Sequence, residues 1–283
     1  MVQEIQNRES DSNPAPTRGL QYADLTEFAP PKASPTTAAS ESPTSPKIEL
    51  AAAQQGLNTA NKTVYVDIGH CTSGDKHPFG GGKHDQGFQS ENYTECGVNT
   101  EVGKNLIKEL NSAGLRVVPT WNPNSPPPLV PKAQDLQRRN DTVNKDVSMR
   151  CDDSIYISIH HDNDPTRKSG QCVYIADPKY NESLPLAQSL QNNAWRVRER
   201  ATAQSCINSD KVTGNGKLVG LRGVNSIGAL VEGANVNNPT DKALMHDPRF
   251  HALEAKQIAK GVIEYFKLKP GTERPYPACR RSL

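Results

Sequence analysis

Two histidines and a small group of glutamates stand where one chain could gather them around a metal ion. His70 directly follows the apolar run Val64–Ile68, His160 closes Ile155–Ile159, and Glu232 ends Ile227–Val231. Glu91, Glu95 and Glu101 lie between the two histidines, around the start of a stretch with helical spacing. A catalytic zinc ion takes three protein N/O ligands at about 2.0–2.2 Å and keeps one position open for water. Two histidines and one of these three carboxylates meet that need, leaving Glu232 to act on water as a general base. Each residue also has a plainer use. A histidine after a strand often caps it, a glutamate in a first helical turn complements the helix dipole, and Glu232 could pair with Arg222. Their joint placement at three strand ends and one helix start points to chemistry.

The elements that must position them follow from periodicity. Val64–Ile68 reads as a strand and Gly69 turns the chain out of it. A polar, glycine-rich excursion covers Cys71–Asn92. Val98, Val102, Leu106, Ile107 and Leu110 then recur on one helical face, and Gly114 ends that helix. Further strands are expected at Leu115–Val118, Ser154–Ile159, Cys172–Ile175, Lys217–Leu221 and Ile227–Val231. Helices are expected at Gln134–Met149, Leu184–Ala201 and Pro248–Phe266. This alternation predicts an α/β fold with a single mixed β-sheet of about six strands, flanked by helices on both faces. Sheets of this kind place their sites at strand ends. Within Ser154–Ile159, Ile155, Ile157 and Ile159 face one way and Tyr156, Ser158 and His160 the other. His160 therefore leaves at the sheet mouth, while His161 points to the opposite face.

The 283 residues divide into three parts. Residues 1–61 are rich in Pro, Ser, Thr and Ala and are expected to form a disordered N-terminal arm, a tether in which residues 20–28 (Leu20 to Phe28) are the candidate docking segment for a protein partner. Residues 62–268 form the catalytic domain, and the basic stretch 269–283 is a peripheral tail. The net charge of +2 is too small to imply nucleic-acid binding. No run of about eighteen apolar residues suggests a membrane span, and the N-terminus lacks the pattern of a secretory leader. The six cysteines include no CxxC pair and are read as thiols.

The strings Val66-Asp-Ile-Gly-His70, Glu95-Cys-Gly-Val-Asn99, Ile157-Ser-Ile-His160 and Leu221-Arg-Gly…Ala229-Leu-Val-Glu232 occur in this order. Together they resemble the zinc-dependent N-acetylmuramoyl-L-alanine amidases of the Amidase_3 type, which include cell-separation enzymes and many phage endolysins. The resemblance continues through Asn237-Asn-Pro239, Leu244 and Ile263-Glu-Tyr-Phe266. It implies that His70, Glu95 and His160 hold one Zn2+ per chain and that Glu232 is catalytic. Its Glu-x-x-x-Asn spacing selects Glu95 over Glu91 and Glu101. The implied reaction cleaves the amide between N-acetylmuramic acid and L-alanine of the stem peptide in peptidoglycan. A monomer is expected, made in the cytoplasm and acting on the wall or periplasm after release or delivery, as a phage endolysin or a component or cargo of a phage tail or injection machine. The alternatives are a zinc peptidase or deacylase acting on another amide, and an inactive wall-binding module.

Departures from the family pattern set further expectations. The long loop after His70, with Asp75, His77, His84 and Asp85, is read as a surface loop in preference to a lid or a second metal site. The residues inserted over Lys145–Asp153 leave Arg139 without a clear role. A disulfide between Cys71 and Cys96 is the less favoured alternative to thiols. The connection from Ile175 to Lys217 is too short for an occluding helix, so an open groove is expected.

Overall fold

Strands β1 (Lys62–Ile68), β3 (Asp153–Asp162) and β6 (Ile227–Asn235) lie side by side and parallel at the centre of one sheet. In the computed structural model the described residues are 57–71, 85–90, 92–125, 130–150, 152–166, 168–176, 180–198, 206–209 and 218–268. The arm through residue 56, with its docking segment, lies outside them. So do the tail from 269, Cys151, Cys279, Glu91, and Asp75, His77 and His84 of the long loop. Strands β2 (Arg116–Pro119), β4 (Cys172–Ile175) and β5 (Ile207–Ser209) complete six strands in the order β2-β1-β3-β6-β4-β5. Only β4 against β6 is antiparallel, so the sheet is mixed, as expected.

Strands buried on both faces read as nearly continuous apolar runs, and β1 from Thr63 to Ile68 is buried throughout. Its alternate residues serve two cores. Val64, Val66 and Ile68 join Ile155, Ile157, Ile159, Ala229 and Val231 on one face. Helices α1 (Glu95–Ser112), α3 (Tyr180–Asn192) and α6 (Pro248–Leu268) cover that face with Val102, Leu106, Leu186, Leu190, Ile258 and Val262. Tyr65, Tyr156 and Leu230 face the other side, against Val143 and Val147 of α2 (Lys132–Arg150) and Leu221 of α4 (Val219–Gly223). The period of two in the strands thus decides which helices each strand meets.

Two expected elements are corrected. Within the stretch read as a strand over Lys217–Leu221, residues 219–221 are helical, as the start of α4, and the fifth strand is Ile207–Ser209. A short apolar run does not distinguish strand from buried helix by periodicity, and Leu221 buries itself equally well from a single helical turn. The helix read as Leu184–Ala201 spans Tyr180–Asn192. Beyond it Trp195 packs edge-on against Phe250, and its indole donates to the Gly233 carbonyl at 2.8 Å, which draws the chain back along the sheet. A short helix not foreseen, α5 (Pro239–Leu244), starts at Asn238, whose side chain accepts from Thr240 and Asp241 N–H. Among the described residues, no helix is long and apolar enough to cross a membrane.

Candidate metal centre

His70 leaves β1 in a conformation that L-residues avoid: φ is +62° at His70 and +69° at Cys71. Side chains capture the carbonyls around this turn one after another. Arg139 donates to the Ile68 and His70 carbonyls, both at 2.7 Å, and Trp121 donates to Ile68 at 3.3 Å. Asn99 donates to the Gly69 carbonyl at 3.1 Å. A non-glycine residue persists in this region only when its surroundings over-determine it, and here they do.

Arg139 is therefore a central clamp, contrary to the reading that left it without a role. The inserted residues extend α2 as far as Arg150 and do not displace the arginine. Buried Arg139 also pairs with Asp135 at 2.7 Å and Asp67 at 2.8 Å. Burial alone would raise the Asp67 carboxyl, but the Arg139 charge and hydrogen bonds from Thr120, Arg139 and Ser158 hold it at about 2.

The His70 ring is gripped from behind. Its Nδ1 lies 2.8 Å from Asp85 Oδ1, which also accepts the Gly87 N–H at 3.1 Å, and Lys132 pairs with the other Asp85 oxygen at 3.1 Å. A carboxylate on the far nitrogen fixes the tautomer and ring angle of a metal-binding histidine. The end of the long loop thus carries a supporting residue that the sequence did not distinguish from its polar neighbours. The near nitrogen, Nε2, lies 3.1 Å from Glu95 Oε1.

Glu95 is the first residue of α1, whose N-cap Thr94 accepts the Gly97 N–H at 3.1 Å. Its side chain turns back to the strand ends. Oε1 accepts the His161 N–H at 3.2 Å and lies 3.1 Å from His160 Nδ1, while Oε2 accepts the Phe88 N–H at 3.3 Å. Two glycines permit this closeness. A Cβ on Gly69 would come within 2.3 Å of the His160 ring, and one on Gly87 within 2.3 Å of Glu95 Oε2. The other described glutamate candidate, Glu101, points away and pairs with Lys104 at 2.8 Å.

His70, Glu95 and His160 each offer one ligand atom, and these atoms lie within 4.8 Å of one another. A tetrahedral ion with bonds of this length spaces its ligands by about 3.4 Å, close to the two 3.1 Å separations from Glu95. The electrostatics also favour a cation. Burial alone would lower the His70 pKa, but Asp85 and Glu95 outweigh it and raise it to about 9. Burial pushes the Glu95 carboxyl up, yet His160 and His70 bring it well below the usual carboxylate range. The donor set fits the zinc ion expected from the sequence.

His161 faces the opposite side, as strand alternation requires. Its Nδ1 is 2.7 Å from Asn99 Oδ1 and its Nε2 3.0 Å from Glu254 Oε2, in a fully buried row. Asn99 thereby links His161 to the Gly69 turn from the same face of α1 as Glu95, one helical turn away.

Glu232 pairs in register with His160 across β3 and β6. Its Oε2 is buried without a hydrogen-bond partner among the described residues. Burial first, then the charges of Asp162 and Glu95, raise its pKa well above the usual value, against the lowering effect of Arg198 and His70. Arg198 is a second contributor the sequence did not mark out. Buried beyond α3, it pairs with Asp162 and with Asp164, the latter at 3.1 Å.

The cysteine reading is also corrected. Cys71 is bonded to Cys96, with Cα atoms 4.9 Å apart, and Cys172 to Cys206, with Cα atoms 5.0 Å apart. The pairs are 25 and 34 residues apart in sequence, so only the fold brings them together.

A family model described as N-acetylmuramoyl-L-alanine amidase, Amidase_3, matches residues 64–264, which include every residue placed at this site. The chain belongs to that family. It is accordingly an N-acetylmuramoyl-L-alanine amidase, a peptidoglycan hydrolase. The germination-specific N-acetylmuramoyl-L-alanine amidase of Bacillus subtilis (strain 168) is 26% identical over 222 residues, 75% of this chain and 83% of that protein. Among solved structures, the amidase Ami1 of Mycobacterium smegmatis superposes with a TM-score of 0.59 at 21% identity, over 75% of this chain and all of that one. The catalytic domain of the CD27L endolysin, which targets Clostridia difficile, gives 0.53 at 16% identity, over 71% and 97%. At these identities the two structures bear on the amidase fold alone.

Proposed function

We propose that this amidase hydrolyses the bond between the lactyl carbonyl of N-acetylmuramic acid and L-alanine, with Zn2+ held by His70, Glu95 and His160 and with Glu232 as the proton-transfer group. The observation that carries this reading is the convergence of the three ligand atoms within 4.8 Å, with Glu232 on the strand position beside His160. A zinc ion in this donor set supplies Lewis acidity and brings the pKa of water to about 7.

The chain's own residues do the rest. Asp85 orients the His70 ring, Phe88 and His161 N–H groups hold the two Glu95 oxygens, and Arg139 fixes the turn beneath. Glu232 takes a proton from water and hands it to the departing alanine amine. Burial and the charges of Asp162 and Glu95 raise its proton affinity, the direction that suits a group accepting a proton from water.

Residues 62–268 act as the catalytic domain, 1–61 as a tether with 20–28 as its candidate docking segment for a protein partner, and 269–283 as a peripheral tail. The protein works as a monomer on the wall or periplasm after release or delivery from the cytoplasm. Two disulfides among the described residues support action outside a reducing compartment.

Digestion of purified sacculi tests the reading. Products should be intact glycan strands and free stem peptides with N-terminal alanine, and a chelator should abolish their release until zinc is restored. Cleaved glycan, cuts within the peptide, or chelator-resistant activity would overturn it.

A further inference from the structure

The Cys71–Cys96 disulfide joins the residue after one proposed ligand to the residue after another. Cys71 lies in the left-handed turn with His70, and is fully buried. Cys96 lies in the first turn of α1 beside Glu95 and is half-buried. Both cysteines are also tied to the short segment that carries Asp85. Cys71 N–H donates to the Asp85 carbonyl at 2.7 Å, and Cys96 N–H to the Gln86 carbonyl at 3.1 Å. One covalent bond therefore gathers the end of β1, the Asp85 segment and the start of α1, which supply two ligands and the support of one of them.

We propose that this disulfide is a redox-dependent positioning element of the metal centre: the oxidised bond holds His70 and Glu95 at the spacing a cation needs, and the dithiol releases them. The inference rests on the ligand assignment proposed above. Its physical basis is the strained pair at 70 and 71. Two consecutive L-residues with positive φ relax toward negative φ once a restraint is lost, and such a change re-aims the His70 side chain. Asn99 of α1 still donates to the Gly69 carbonyl and Cys71 N–H to the Asp85 carbonyl, but neither bond fixes the Cys71 side chain to α1 as the disulfide does. In a reducing compartment, where thiols are kept reduced, the ligand set is loosened. Where disulfides persist, it is assembled.

The second disulfide is an internal control. Cys172 sits opposite Glu232 in the β4–β6 register, and both Cys172 and Cys206 are buried. Half-buried Cys96 makes the first bond the more open to a reductant. A water-soluble phosphine attacks one sulfur and breaks the S–S bond. Water then supplies the oxygen of the phosphine oxide and the two protons of the thiols, so the protein gains two electrons.

The test measures zinc affinity of the full chain by competition with a chromophoric chelator. Four samples are compared: oxidised, phosphine-reduced, and the Cys71→Ala/Cys96→Ala and Cys172→Ala/Cys206→Ala pairs, with far-UV circular dichroism and melting confirming folding. The reduced chain and the first pair should bind zinc about 10–100-fold more weakly. Re-oxidation of the reduced chain should restore affinity, and the second pair should match the oxidised chain. A folded, reduced chain that binds zinc as tightly as the oxidised one overturns the proposal. Tighter binding overturns it too, since the thiolates would then be joining the ligand set. Should the first pair fail to fold, the reduction and re-oxidation cycle decides alone. Muropeptide release is scored separately. Zinc binding without release refutes the proposed reaction, while the affinity ratio still decides the role of the disulfide.

Discussion

The two halves of the candidate centre are built in opposite ways. The His70–Glu95 half is held by many groups: captured carbonyls, two ligand-facing glycines, a carboxylate behind the imidazole, and a disulfide. The Glu232 half sits in the sheet, between His160 on β3 and Cys172 on β4, and among the described residues one of its oxygens is buried with no hydrogen-bond partner. Ligand atoms must be placed to within a few tenths of an ångström, which requires support on every side. A proton-transfer group must keep a lone pair free and a raised pKa, which requires that support be withheld. An unsatisfied buried group costs about 1–3 kcal/mol, and the parallel core strands carry that cost.

The strongest break in this contrast is Glu232→Gln. Turnover on sacculi should fall by about 10²–10⁴-fold, with zinc content unchanged and melting temperature equal or higher. A variant that loses its zinc would place Glu232 among the ligands. Arg139→Ala acts on the other half and should destabilise the fold by about 3–5 kcal/mol, because Asp67 is left buried without its cation and Asp135 keeps only Arg138. Denaturant melts would show it, and a loss under about 1 kcal/mol would mean that the clamp is not a clamp.

The same network has an acid signature. The Asp67 pKa is about 2 in the fold against an ordinary 3.8, so its stabilisation is fully present above about pH 4 and is lost as pH falls through 2. The shift amounts to about 2 kcal/mol. Acid melts of Asp67→Asn should lack that step, and an unchanged slope between pH 4 and 2 would count against the pairing. The smallest effect is expected for Asp85→Asn, where zinc affinity should drop about tenfold with Glu232 chemistry otherwise intact. Chelator competition measures it. No change would show that the His70 ring is oriented without its carboxylate.

Much of this centre was legible along the chain. Apolar runs ending in His70, His160 and Glu232 imply strands that deliver them to one sheet edge, because strand period and burial are local properties. The period of two also separates His160 from His161, and the structure sends them to opposite faces. Glu95 needed the four-residue spacing to Asn99, which the structure explains, since one helix face reaches both the ligand cluster and the Gly69 turn. Short or composite elements were less legible. Val219–Gly223 carries too few residues for periodicity to choose its state, and Trp195 ends α3 through a contact to Gly233 that is 38 residues away.

The sequence by itself determined the sheet, its order of alternation with helices, the family and the residues offered as ligands and base. These depend on patterns within about twenty residues and on ordered motifs. Only the tertiary structure decided what holds them: Arg139 beneath the turn, Asp85 behind His70, Arg198 near Glu232, and the pairing of Cys71 with Cys96. Each of these contacts joins residues from different elements. A polar side chain or a cysteine looks the same in sequence whether its partner is solvent, a neighbour or a carbonyl across the fold, and only burial makes that choice energetically decisive.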